Sequence, residues 1–167
     1  MAKTFKKTPE AWQQGNLPYK SGLTLNKAKK MLNAAEKEAE KQGVPMVIAI
    51  ADSGGNLLAF SRMDGVMLAS IDIALNKAYT AVMGKVPSWH WTKAFKEAGF
   101  AELFVHERFI PFPGGFPVKR DNALFGGIGV SGGIIEDIYV AKAALEAGGY
   151  DVDEVSATID GMQHLDK

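Results

Sequence analysis

The chain has 167 residues, 47% of them apolar and 23% charged, which is the size and composition of one compact soluble domain rather than two. Lys plus Arg equals Asp plus Glu at 19 each, so the strong basic field that non-specific nucleic-acid binding needs is absent. With no cysteine, disulfides, thiolate nucleophiles and Cys-ligated metal centres are excluded, and metal work falls to His, Asp and Glu.

Residues 1–22 are polar and broken by Pro9, Gly15, Pro18 and Gly22, so they read as an N-terminal arm without a core, although Trp12 and Tyr19 are unusual in a free tail. Met1–Lys7 is basic but lacks the apolar stretch of a secretory leader, and no apolar run approaches the ~20 residues that span a bilayer, so the expectation is a cytoplasmic protein with no membrane partner. Thr24 is placed to cap a helix whose apolar positions Leu25, Ala28, Met31, Leu32, Ala35 and Ala39 recur at helical steps until Gly43. Val44–Ala51 and Leu57–Ser61 read as strands joined by the turn Asp52-Ser53-Gly54-Gly55-Asn56. That turn has a calcium-loop look, but an EF-hand needs an oxygen ligand where this chain has Met63, so a hairpin is expected.

A buried helix is expected from about Ala69 to Met83, and Pro87 opens another helical stretch to Gly99. Glu107–Arg120, with Pro111, Pro113, Gly114, Gly115 and Pro117, reads as a shaped loop bordered by short extended pieces, a kind of segment that often carries function. Leu124–Val130 follows as a Gly-rich strand, Gly132 and Gly133 as a turn, and Ile134, Ile135, Ile138, Ala141 and Leu145 as the inner stripe of a helix that stops at Gly148-Gly149. Residues 151–167 remain as an acidic C-terminal tail of the same domain, 23–150. Helices segregated in blocks around a hairpin and later strands argue for an α+β fold built on an antiparallel sheet.

Several constellations are candidates for chemistry. Gly127-Ile128-Gly129-Val130-Ser131-Gly132 matches the dinucleotide fingerprint, with Asp151 and Asp153 further on, but too little chain follows it to complete parallel βαβ units. No dinucleotide is therefore expected, and the glycines are read as permitting close helix–sheet packing. Backbone N–H groups near Gly132–Ile134 offer a weaker anion site, and Glu136 with Asp137 is read as favouring the helix dipole. Arg62 can clamp an anionic ligand, Asp64 can hold that fork or act as a base, and Lys77 can add a second positive charge, with a structural salt bridge as the alternative. His106, between aromatic and charged neighbours and just before the Pro/Gly loop, is the best single candidate for a metal ligand or acid–base group.

The motifs Leu23-Thr24-Leu25, Ala49–Leu57, Arg62-Met63-Asp64-Gly65, Asn76–Ala81, Phe112–Pro117 and Gly127–Gly133 leading into Glu136-Asp137, taken in this order, resemble the GlcG/HbpS-like family, which includes the C-terminal domain of PduO-type proteins. The resemblance covers about residues 22–149 and implies a profilin-like antiparallel sheet flanked by helices that assembles as a homo-oligomer. It implies that some relatives bind haem, that others are associated with glycolate, glycerol or diol metabolism, and that the pocket lies around Arg62–Gly65, Lys77 and Phe112–Gly115. An axial haem ligand would come from Met63, His106 or Tyr79.

The expectation is thus an oligomeric binding protein for haem or a related tetrapyrrole, or for a small carboxylate metabolite. Its ligand-binding residues would be Arg62, Met63, Asp64, Lys77, His106, Arg108, Phe112, Gly114 and Gly115, with His106 as metal ligand and Phe104, Phe109 and Phe116 as further aromatic walls. The alternatives are a small enzyme acting on a hydroxy acid or aldehyde through Asp64 or His106, and a structural assembly partner.

Overall fold

A computed structural model describes residues 22–98 and 106–162. The elements run α1 (Leu25–Gln42), β1 (Val47–Asp52), β2 (Leu57–Arg62), α2 (Ser70–Gly84), α3 (His90–Ala98), β3 (Gly115–Arg120), β4 (Ala123–Ser131), α4 (Glu136–Gly148) and α5 (Asp153–Met162). The four strands form one sheet in the order β2-β1-β4-β3, and every neighbouring pair is antiparallel. This is the α+β architecture expected from the order of elements.

Local chemistry sets the boundaries. The Thr24 Oγ1 accepts the Lys27 N–H at 3.3 Å, and Gly43, at φ 70°, closes α1 in the left-handed conformation that glycine adopts at least cost. In the hairpin turn, the Asp52 carboxylate accepts the N–H groups of Gly54 at 2.8 Å and Asn56 at 3.0 Å. Its oxygen satisfies the backbone of its own turn, which is the role the hairpin reading gave it.

Alternation along β1 then builds two layers. Ile48 and Ile50, with Phe116, Val118, Ile128 and Val130, face α1 and α4. Val47, Ala49 and Ala51 face Ala74, Ala78 and Val82 of α2. On β4 the positions facing α2 are glycines: a Cβ at Gly129 would stand 2.0 Å from the Ala74 carbonyl oxygen, and one at Gly127 would stand 2.6 Å from that of Ala78. Gly-x-Gly on the strand, set against Ala-x-x-x-Ala on the helix, lets α2 lie directly on the sheet. The close-packing role read for these glycines is correct, although their partner is α2 rather than the helix that follows them.

Two expectations need correction. Part of the segment read as a loop is the edge strand β3, which pairs with β4 through Asp121 and Asn122, both at positive φ (51° and 61°) as a tight hairpin requires. Pro117 had argued against a strand, but a proline is tolerated at a sheet edge. The acidic tail contains α5, which buries Val155 and Thr158, and the Trp89 indole donates to the Thr158 hydroxyl at 2.9 Å. The acids Asp151, Asp153, Glu154 and Asp160 around it hid its short apolar stripe. The N-terminal arm up to residue 21, Phe104 and His164 lie outside the described residues.

Gly129→Ala is expected to lower the unfolding free energy by at least about 2 kcal/mol, because backbone oxygen cannot yield as a side chain can. Gly161→Ala, in α5 with nothing within 4 Å of its Cβ, should be neutral or stabilising. Urea denaturation of both variants checks this; equal losses would contradict the packing argument.

Candidate functional site

Because α2 rests on glycine, Lys77 is carried in against the sheet and is 3% exposed. Its Nζ donates to the Val130 carbonyl at 2.7 Å and to Asp137 Oδ2 at 2.8 Å. Asp137, in the first turn of α4, is equally buried, and its second oxygen accepts the Gly133 N–H at 2.8 Å. Burial pushes the Lys77 ammonium down from its ordinary pKa and the Asp137 carboxyl up, while their mutual attraction opposes both shifts. The two helices are thereby tied together at the end of β4.

The dipole role given to Asp137 is thus secondary to an ion pair with a residue sixty positions earlier, a separation no local pattern reveals. The anion site expected near Gly132–Ile134 is also filled from within the chain: Gly133 donates to Asp137, and the Ile134 N–H donates to Glu136 Oε2 at 3.1 Å. Gly114 and Gly115 belong to this centre. A Cβ at Gly114, where φ is 103°, would meet Lys77 Nζ at 3.0 Å and the Asp137 Cβ at 2.9 Å, and one at Gly115 would meet the Lys77 carbonyl oxygen at 2.6 Å.

Above the pair opens a cavity of about 340 Å³. Lys77 and Asp137 contribute to its lining with Ser70, Ile73 and the 131–134 turn. Met67, Phe112 and Ile134, which are 65%, 56% and 65% exposed, form an apolar rim. Ser70, on the first turn of α2, is buried, and its hydroxyl has no hydrogen-bond partner.

The remaining expected residues lie in two other places. Arg62, Met63 and Asp64 line a separate polar depression with Glu36, Glu40 and Ser61. The Met63 sulfur accepts the Met46 N–H at 3.4 Å and packs against the main core, so it is not a free thioether. Arg108 lies over the Tyr79 ring at 3.8 Å and donates to the Gly55 carbonyl, while His106 stacks on the same ring with centroids 5.9 Å apart. Lys77, Phe112, Gly114 and Gly115 are therefore gathered, and Arg62, Asp64, His106 and Arg108 are not gathered with them. Phe116 is buried in the core, and Phe109 packs on Trp91, their ring centroids 5.4 Å apart.

The side chains differ in their fitness for haem iron. His106 Nδ1 accepts the Arg108 N–H at 3.2 Å, and the ring lies beside Tyr79, outside the lining of the cavity above the Lys77–Asp137 pair. Among the described residues, Met67 is the one lining the apolar-rimmed cavity of a type that commonly ligates haem iron. Among the described residues, no group of three His, Asp or Glu side chains is placed to hold a metal ion, and no helix is long and apolar enough to cross a membrane.

The model of the family described as "Haem degrading protein HbpS-like" matches residues 23–146. The 15.0 kDa protein of the dhaT-dhaS intergenic region of Citrobacter freundii is 39% identical over 128 residues, covering 74% of this chain and 90% of that protein. Protein GlcG of Escherichia coli is 36% identical over 112 residues, covering 65% of this chain and 81% of its own length. The crystal structure of a PduOC–haem complex superposes with a TM-score of 0.70 at 29% identity, covering 75% of this chain and 94% of that one.

Removing one partner of the buried pair should be far worse than removing both. Asp137→Leu is expected to cost about 3–5 kcal/mol by leaving the Lys77 ammonium without its counter-charge, whereas the double variant Lys77→Met/Asp137→Leu should recover most of that loss. A double-mutant cycle by urea denaturation measures the coupling, and simple additivity would contradict it.

Proposed function

The chain belongs to the HbpS-like family, and from that premise we propose that it binds a small amphiphilic ligand in the cavity above the Lys77–Asp137 pair. The observation that carries this reading is the division of the cavity into an apolar rim of Met67, Phe112 and Ile134 and a polar interior. Apolar walls supply most of the binding free energy for such a guest, and a few fixed polar groups orient it. Haem is the first guest to consider, because the family description names it and a related chain has been crystallised with it. When bound, haem would supply iron chemistry; this chain would hold it with the Met67 sulfur as a candidate donor to the metal and Phe112 and Ile134 as walls.

A small carboxylate metabolite is the other guest class that suits the same division. The finer setting, alongside glycolate, glycerol or diol metabolism, rests on the resemblance alone. A homo-oligomer is part of the proposal, supported by Leu57 and Phe60 on the edge strand β2, which remain exposed in the single chain and are suited to burial against another protomer.

Titration with hemin, followed by the Soret band and by quenching of tryptophan fluorescence, tests the reading. Phe112→Ala and Ile134→Asp should each weaken binding by about tenfold or more, as expected for losing a buried apolar wall. His106→Ala should leave the affinity unchanged. Loss of the band in His106→Ala, with both rim variants unaffected, would move the site to the Tyr79 surface.

A further inference from the structure

We propose that the guest's carboxylate is seated at the start of α2 on the hydroxyl of Ser70. This rests on the reading of the cavity as the ligand site and adds to it the chemistry of the group recognised there. Ser70 is 1% exposed, its Oγ has no partner, and it lines the cavity. A buried hydroxyl left unpaired is costly, and because Ser70 lies in the wall of the cavity, a guest there can supply the acceptor that the chain does not.

No structural duty accounts for the hydroxyl. The cap position of α2 is held by Ala69, which makes no side-chain cap hydrogen bond, and the Ser70 N–H already donates to the Met67 carbonyl at 3.0 Å. At α4 Glu136 and Asp137 take the N–H groups of the turn that leads into the helix, and at α2 carbonyls of the preceding turn take the first N–H groups, Met67 that of Ser70, Leu68 that of Ile71 and Ala69 that of Ile73. The Ser70 hydroxyl is thus the donor left over in the field of this 15-residue helix's positive end. Asp72, the acid in that first turn, is exposed and lies on another side of the helix.

The surrounding charge favours the same group. Lys77 lies about two helical turns further along the Ser70 face, and two of its three N–H bonds are accounted for by Val130 and Asp137. Asp137 offsets its charge, so attraction at the seat is local and directional. A single free hydroxyl in the field of a helix N-terminus matches one oxygen of a carboxylate, whereas a phosphate calls for several converging N–H donors. The rim then holds the apolar body of the same molecule. The carboxylate can come from a tetrapyrrole side chain or from a short-chain acid.

Hemin and hemin dimethyl ester, titrated into the wild type and Ser70→Ala, test the first source. The wild type should bind hemin about tenfold more tightly than the ester, and Ser70→Ala should bind the two equally, with its affinity for the ester unchanged. A variant that keeps the wild-type preference overturns the seat. Thermal midpoints with hexanoate and hexanol test the second source and separate failure of the seat from failure of the haem reading. If hemin does not bind but hexanoate raises the wild-type midpoint, hexanol does not, and Ser70→Ala responds to neither, the seat stands without haem. Equal responses of wild type and variant overturn it. Without any guest, Ser70→Ala should melt at or above the wild-type temperature; a clear drop would mean that the hydroxyl supports the fold instead.

Discussion

A lysine ammonium and an aspartate carboxylate, 2.8 Å apart and both removed from water, hold the cavity end of this molecule together. Neither charge survives burial alone. Lys77 arrives on the helix that covers one sheet face, Asp137 on a helix that covers the other, and the Val130 carbonyl at the end of β4 completes the contact. The pair contributes less to net stability than to uniqueness: any other placement of α2 and α4 on the two sheet faces would leave two buried charges without partners. Its position also defines the cavity floor.

That contact depends on a steric condition set elsewhere. Gly127 and Gly129 let the backbone of α2 approach β4, and Gly114 leaves room for the Lys77 ammonium beside Asp137. The glycines that resemble a nucleotide fingerprint thus act at one remove from the cavity. They bring a charged side chain to a depth it would not otherwise reach, and they leave the space above it lined by Met67, Phe112 and Ile134.

Much of the fold was legible from local chemistry. Thr24 and Gly43 mark the ends of α1, the Asp52 turn marks the hairpin, and the Gly-Gly step after Leu145 marks the end of α4, because caps and turns act over a few residues. β3 was hidden by its proline, and α5 by exposed acids around a narrow apolar stripe. The site was legible only in part. Lys77, Phe112, Gly114 and Gly115 lie together around one cavity, but the assumed closeness of Arg62 to Lys77 fails because β2 is an edge strand and Arg62 lines the polar depression with the α1 acids Glu36 and Glu40. Ser70 carried no signal at all: a serine opening a helix is common, and only its burial without a partner distinguishes it.

The most direct test of a ligand seated over the Lys77–Asp137 pair is a crystal structure of the protein grown with hemin. Density for the macrocycle against Met67, Phe112 and Ile134, with a carboxylate at the start of α2, is the expected result. Density instead at the Arg62–Asp64 depression, or stacked beside Tyr79 and His106 with this cavity filled only by water, would contradict it.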